Sequence, residues 1–149
     1  IVIIHRQACI YFFIYKSQSM SFKGKLNVNG KSYRVLSCNY DLKQEVDATG
    51  RPSSVTRGGR IKLTIESTGD TSIFAWMTNN FERKDGTIVF TKRDSDATLK
   101  ELKFTEAYCV GYEEKFDATG ENPITETFTL SAREIACGDG QFNNEWVQN

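Results

Sequence analysis

Residues 22–31 read FKGKLNVNGK, and this stretch decides the fold class. From Phe22 to Val28, apolar or small residues alternate with lysines and an asparagine, which is the period-two pattern of a strand with one buried face. Asn29-Gly30 follows at once, and both residues tolerate the positive φ that a two-residue hairpin turn requires. The pattern therefore predicts an antiparallel hairpin whose second strand begins at Lys31.

Further runs of the same kind follow along the chain. The second strand is expected to continue through Leu36, Cys38, Tyr40, Leu42 and Val46. Later runs cover Arg60–Ser67, Gly86–Lys92, Leu99–Phe116 and Ile124–Cys137. Six or seven short strands with turn signals between them predict a mainly β fold, a small barrel of two packed antiparallel sheets with one short flanking helix.

The helix is predicted from a segment that breaks the alternation. Its larger apolar side chains recur at helical spacing, and we expect them to be core residues that cover an open end or a flank of the barrel. Asp70 and Thr71 are expected to cap its start, and Asn79-Asn80 to end it in a left-handed turn. The predicted helix-core residues are Ile73, Trp76, Met77 and Phe81.

Length and charge limit the classes of function. A chain of 149 residues can build one domain with a core of its own, and 19 basic residues balance 19 acidic ones. That balance favours neither nucleic acid nor an anionic membrane as partner. A protein or a neutral molecule is the expected partner.

Residues 1–19 differ in composition from the rest, since they contain Arg6 and Lys16 but no acidic residue. Their apolar run, Ala8–Tyr15, is far shorter than the roughly 20 residues that cross a bilayer. One interpretation is a signal peptide, and the other is an upstream extension preceding a true start at Met20. We expect the second, with residues 1–19 outside the fold and a domain over 20–149.

The residue types of enzyme sites are poorly represented. The only histidine, His5, lies in the extension, so the predicted domain holds neither a Ser-His-Asp nor a Cys-His pair. Glu113-Glu114 and Asp94 with Asp96 are explained by solvated strand and turn charges. We therefore predict no enzyme and no catalytic, cofactor-binding or metal-binding residues.

The cysteines show no C-x-x-C spacing and lie far apart, so we expect reduced thiols that act as small hydrophobic residues. The alternative, that two of them form one disulfide after export, is left open. The four are Cys9, Cys38, Cys109 and Cys137.

Asp47–Gly59 is too long for an ordinary hairpin connection and is expected to be either a mobile surface loop or a binding loop. Its first residues, Asp47-Ala-Thr-Gly, reappear as Asp117-Ala-Thr-Gly. The echo has two explanations that stay open, a duplicated half-barrel or convergence on one turn chemistry.

Taken in order, the segments of this chain resemble one family. They are Met20-Ser-Phe-Lys-Gly-Lys-Leu, the hairpin, Asp47-Ala-Thr-Gly-Arg-Pro, Arg57-Gly-Gly-Arg-Ile, the Trp76 helix and Glu126-Thr-Phe-Thr-Leu-Ser-Ala-Arg-Glu-Ile-Ala. Together they resemble the haemolysin-coregulated proteins, the tube proteins of type VI secretion systems, in the form found in Bacteroidetes. The resemblance covers about Met20 to Val147.

The resemblance implies a structural role. It implies hexameric rings stacked into a hollow tube, a contractile sheath around the tube, a spike at its tip and effectors as cargo, with neither nucleic acid nor membrane insertion nor a cofactor involved. It also implies a cytoplasmic protein that is exported on firing without a cleaved signal peptide. The expected ring-stacking loop consists of Asp47, Thr49, Gly50, Arg51, Pro52, Arg57, Gly58 and Gly59.

Two other classes stay open from the residues alone. A lipocalin-like carrier of small molecules needs a continuous apolar barrel interior, a disulfide and a signal peptide. A secreted hydrolase needs a carboxylate pair such as Glu113 and Glu114.

Overall fold

In the computed structural model, residues 22–146 are described, and they form seven β-strands and one helix. The bounds are β1 Phe22–Val28, β2 Lys31–Tyr40, β3 Arg60–Glu66, α1 Ser72–Thr78, β4 Lys84–Lys92, β5 Thr98–Phe116, β6 Ile124–Cys137 and β7 Gly140–Asn143. The prediction for residues 1–19 lies outside the described residues. No helix in the described part of the chain is long and apolar enough to cross a membrane.

The strands form one antiparallel sheet that closes on itself. Their order is β3-β2-β1-β4-β5-β6-β7, and an additional pairing of β3 with β6 makes the first six a barrel. β3 and β6 pair over seven residues, from Arg60 opposite Ser131 to Glu66 opposite Thr125. β7 adds one more strand to the sheet by pairing with residues 134–137 at the C-terminal end of β6. The predicted class, a mainly β barrel with one short helix, is confirmed. The two packed sheets that were expected are instead one sheet, because β3 pairs with β6 and closes it.

The first hairpin has the predicted turn. Asn29 and Gly30 have φ of 54° and 73°, and Val28 pairs with Lys31 across them. Two consecutive positive φ values match the right-handed twist of the flanking strands, which is why this turn joins β1 directly to β2.

The second strand is shorter than predicted, because it ends at Tyr40, opposite Ile61 of β3. Leu42 and Val46 lie beyond that last pair and are largely exposed. Their alternation with polar residues continues the strand pattern, but no neighbouring strand of the barrel extends far enough to pair with them.

The core lies inside the barrel, where inward side chains from all seven strands meet. The largest fully buried side chains on strands are Phe104, Phe128, Leu26, Ile61, Leu63, Ile65, Ile88, Leu102 and Leu130. Glu126 is the one buried charged residue in the described chain, and the Tyr112 hydroxyl donates to its carboxylate at 2.7 Å. Burial raises the pKa of Glu126.

The helix packs on β5 and contributes Ile73 and Trp76 to the core, with Met77 half-buried. The Trp76 indole donates to the carbonyl of Glu82 at 3.0 Å. Phe81, predicted as a core residue, is 86% exposed, so that part of the prediction is wrong. Because the helix ends at Thr78, Phe81 lies outside it and is not on the apolar helix face that its spacing predicted.

The two ends of the helix also differ in detail from the prediction. Asp70 accepts from the Ser72 backbone N–H at 2.9 Å, whereas Thr71 makes no side-chain cap. Asn79 is extended, and the left-handed residue is Phe81, with φ of 66°. The expected left-handed turn at Asn79-Asn80 is therefore wrong by one or two residues.

Candidate interaction loop at one end of the barrel

The β2–β3 connection, residues 41–59, is an irregular hairpin held by its own backbone. Lys43 and Arg57 exchange hydrogen bonds of 3.0 and 2.7 Å, and Ser53 donates to the Glu45 carbonyl at 2.8 Å. Val46 and Pro52 form a further bridge. The arms of the loop are therefore paired, although they lie beyond the barrel wall.

The tip of the loop is a turn built around Asp47. Its Oδ1 accepts from the Thr49 N–H at 2.9 Å, the Thr49 hydroxyl at 2.6 Å and the Arg51 N–H at 3.1 Å. These bonds, with the Thr49 hydroxyl first, lower the pKa of Asp47. Gly50 completes the turn with φ of 85°, a value that favours glycine. The Asp47 carboxylate thus makes its hydrogen bonds within the turn, and the neighbouring residues of the loop tip are exposed to solvent.

The outer surface of the loop combines apolar and cationic groups. Val46 and Val55 are 61% and 78% exposed. Arg51 and Arg57 are also exposed, and neither guanidinium has an ion-pair partner within residues 22–146. Exposed valines beside unpaired arginines are features of a protein-binding surface.

The two glycines at the base of the loop serve packing within the chain. Gly59 is buried with φ of 96°, and a Cβ there would lie 2.5 Å from the Asn144 amide nitrogen and 2.8 Å from the Ala132 carbonyl oxygen. A Cβ on Gly58 would collide with the Leu42 side chain. Gly58 and Gly59, which were expected in the ring-stacking loop, thus pack against Leu42, Asn144 and Ala132 of their own chain.

Asn144 anchors the same base and was not predicted. Its side-chain amide donates to the Gly58 carbonyl at 3.2 Å and to the Ala132 carbonyl at 3.0 Å. Because Asn144 follows β7, far from the loop in sequence, its neighbours along the chain carry no signal for this role.

The second Asp-Ala-Thr-Gly turn has the same local geometry. Asp117 Oδ1 accepts from the Thr119 N–H at 3.1 Å and from its hydroxyl at 2.7 Å, and the Gly120 N–H donates to the Asp117 carbonyl at 3.4 Å. The shared geometry follows from the same side-chain bonds. It therefore requires no duplicated half-barrel.

The remaining candidate chemistry is dispersed. Glu113 and Glu114 are exposed near the end of β5, and Asp94 and Asp96 lie in the β4–β5 turn. Within residues 22–146, no three His, Cys, Asp or Glu side chains are placed to hold a metal ion.

The three cysteines of the described chain are free and half-buried, and burial raises the pKa of two of the thiols to about 11. Those two are Cys38 and Cys109.

Comparison with known proteins assigns the family. The family model for "Hemolysin coregulated protein Hcp (TssD)" matches residues 20–147. A structure of Hcp1 from Flavobacterium johnsoniae is 65% identical, with a TM-score of 0.79, covering 82% of this chain and 99% of that one. A comparison with curated protein sequences gave no match.

More distant structures share the fold. Hcp1 from Salmonella typhimurium is 15% identical with a TM-score of 0.66, covering 83% of this chain and 92% of that one. A sheath/tube terminator from an extracellular contractile injection system is 22% identical with a TM-score of 0.52, covering 77% and 92%. The fold is thus shared with a component of an extracellular contractile injection system.

The family is a structural, non-enzymatic one whose members form hexameric tube rings and are secreted through the type VI apparatus. From its barrel, from the family match over residues 20–147 and from the 65% identity to one Hcp1, this chain belongs to the haemolysin-coregulated protein family and is a tube protein of a type VI secretion system.

Proposed function

We propose that this chain forms hexameric rings that stack into a hollow tube, with loop 41–59 making the contact between successive rings. The observation that carries the proposal is the loop itself, a paired hairpin beyond the barrel wall that exposes the side chains of Val46, Val55, Arg51 and Arg57. Repeating one heterologous contact along an axis produces an open stack, which is the geometry of a tube.

The same proposal supplies the partners and the location. The outside of the stacked tube meets the contractile sheath, one end meets the spike, and effectors travel with the tube. The protein resides in the cytoplasm until firing and then leaves through the apparatus without a cleaved signal peptide. Membership of the family supports each of these points.

The loop is suited to repeated docking because its arms are already paired. A preformed hairpin loses little conformational freedom on binding, so the free energy of a few weak contacts is not offset by the entropic cost of ordering the loop. Each exposed ion pair contributes little alone, but a ring presents six copies at once.

The test reverses the two loop charges with Arg51→Glu and Arg57→Glu. We expect native mass measurements to show intact hexamers and electron microscopy to show loss of tubes, since the loop backbone keeps its own bonds. The matched control is Lys92→Glu with Lys100→Glu, which reverses the same charge at the same end of the barrel, outside the loop. Normal tubes from the loop variant, or monomers from the wild-type protein, contradict the proposal.

A further inference from the structure

We infer that the surface receiving the loop is the tip of the β5–β6 hairpin, residues 113–124, of a copy in the next ring. This inference rests on the proposed function, because it names the partner of the stacking loop. The occupant of the hairpin tip is thus a second copy of this chain.

The directions of the strands place the two surfaces at opposite ends of the barrel. Every neighbouring pair of strands is antiparallel, so successive connections alternate between the two ends. The β2–β3 loop, the β4–β5 turn and the β6–β7 turn share one end. The β1–β2 turn and the β5–β6 tip share the other. A head-to-tail stack therefore brings the loop of one copy toward the hairpin tip of another.

The hairpin tip exposes apolar surface with an acidic border. Phe116, 70% exposed, pairs with Ile124 in the β5–β6 register, and Ile124 is also exposed. Residues 113–121 contain four acidic side chains and one lysine. In the described chain none of the four carboxylates forms an ion pair. They are Glu113, Glu114, Asp117 and Glu121.

The loop carries the complementary surface. From Thr49 to Arg57 it has two arginines and no acidic residue, together with the exposed Val55. Forked guanidinium donors match carboxylates, and an apolar side chain beside them matches Phe116 and Ile124. The charged groups named at these two ends form no ion pairs within the described chain, and their charge complementarity selects a second copy as the occupant.

Both surfaces are already shaped before contact. The Asp117 N–H donates to the Pro123 carbonyl at 2.7 Å, and the Asp117 carboxylate holds the turn through Thr119. The test variant therefore leaves Asp117 unchanged. It also leaves Glu114, whose carboxylate lies 3.3 Å from the Tyr112 hydroxyl.

The experiment uses Glu113→Lys with Glu121→Lys, two exposed positions away from those bonds. We expect intact hexamers and a concentration for tube formation raised at least about tenfold. The control, Asp94→Lys with Asp139→Lys, makes the same charge change in turns at the opposite end, and we expect its tubes to be normal.

Mixing two kinds of ring makes the test specific. Loop-variant rings (Arg51→Glu, Arg57→Glu) keep a normal hairpin end, and hairpin-variant rings keep a normal loop end. When the two are mixed, every junction again joins opposite charges, so alternating rings are expected to form tubes that neither forms alone. Placing all four substitutions in one chain is expected to restore tubes as well.

The outcomes separate the two ideas. If the loop variant stacks normally, the proposed function fails. If the loop variant does not stack while the hairpin variant does, or if neither mixing nor the combined variant restores tubes, the loop docks elsewhere and this inference is overturned. Loss of hexamers in the hairpin variant places the tip within the ring contact and also overturns it.

Discussion

A single carboxylate, Asp70, ties the start of β2 to the start of the helix. Its Oδ1 accepts from the Ser72 hydroxyl at 2.6 Å and from Lys31 Nζ at 3.1 Å, and its Oδ2 accepts from the Tyr33 hydroxyl at 2.6 Å. The Ser72 and Tyr33 hydroxyls hold the pKa of Asp70 well below its usual range. Burial, together with the bond to Asp70, raises the pKa of Tyr33 to about 12.

Asp70→Ala is expected to lower the free energy of unfolding at pH 7 by about 1–3 kcal/mol, because it leaves a half-buried donor cluster without its acceptor. The lowered pKa means that the ionised form stabilises the folded state above the unfolded pKa of about 4, and that this stability is lost as the pH falls through the lower folded pKa. The difference between wild type and Asp70→Ala should therefore shrink below pH 4.

Denaturant unfolding at a fixed protein concentration, at pH 7 and below pH 4, measures this effect. Asp94→Ala, in the exposed β4–β5 turn, is the matched control and should change little at either pH. An Asp70→Ala loss that is equally large in acid contradicts the assignment.

At the scale of elements, the β2–β3 loop depends on a glycine at its base. Gly59→Ala must accept a φ of 96° and must also push Asn144 and Ala132 aside. The backbone strain alone costs about 1–2 kcal/mol, and the collision adds to it, so we expect a clear drop in melting temperature.

Gly50→Ala is the matched control for this prediction. Gly50 also has positive φ, 85°, but a Cβ there meets nothing within 4 Å, so only the conformational cost applies. Thermal melts of both variants should rank Gly59→Ala as the more destabilised. Equal losses are evidence against close packing at the base of the loop.

The elements also show where periodicity predicts well and where it does not. The bounds of β6 coincide with the predicted Ile124–Cys137, because both of its flanks carry turn residues. The β2 pattern runs past Tyr40 and the helical pattern runs past Thr78, yet neither element continues. An amphipathic pattern shows that a strand or helix could continue through a segment. The element continues only where a neighbouring surface buries the apolar side chains of that segment.

At the scale of the whole molecule, residues 22–146 already close the barrel through β3 and β6. We propose that the folded unit corresponds to residues 20–149, since the family model begins at residue 20. The chain expressed from Met20 is expected to melt within about 2 °C of the full chain, because a loss under 0.5 kcal/mol shifts the melting temperature of a domain this size by no more. Its native mass is expected to be that of the same hexamer.

Differential scanning calorimetry and native mass measurements on both proteins test this proposal. A shorter chain that fails to fold, or that melts many degrees lower, shows that residues 1–19 belong to the folded unit. A shorter chain that folds but stays monomeric assigns them to ring formation.

The sequence by itself determined the features that depend on neighbours along the chain. Alternation predicted the strands, Asn29-Gly30 the first hairpin, and the Asp-Ala-Thr-Gly tetrads two sharp turns, because each rests on local sterics or on hydrogen bonds within a few residues. The order of these local signals was also enough to indicate the family.

Only the tertiary structure decided how distant segments meet. β3 closes on β6, Asn144 anchors the Gly58 carbonyl, and the cationic loop and the acidic hairpin tip lie at opposite ends of the barrel. Each of these features depends on residues far apart in sequence. Such contacts are selected by the free energy of burying many side chains at once, and no local period encodes that sum. The exposure of Phe81 has the same origin, because only residues distant in sequence could have covered its side chain, and in the described fold they do not.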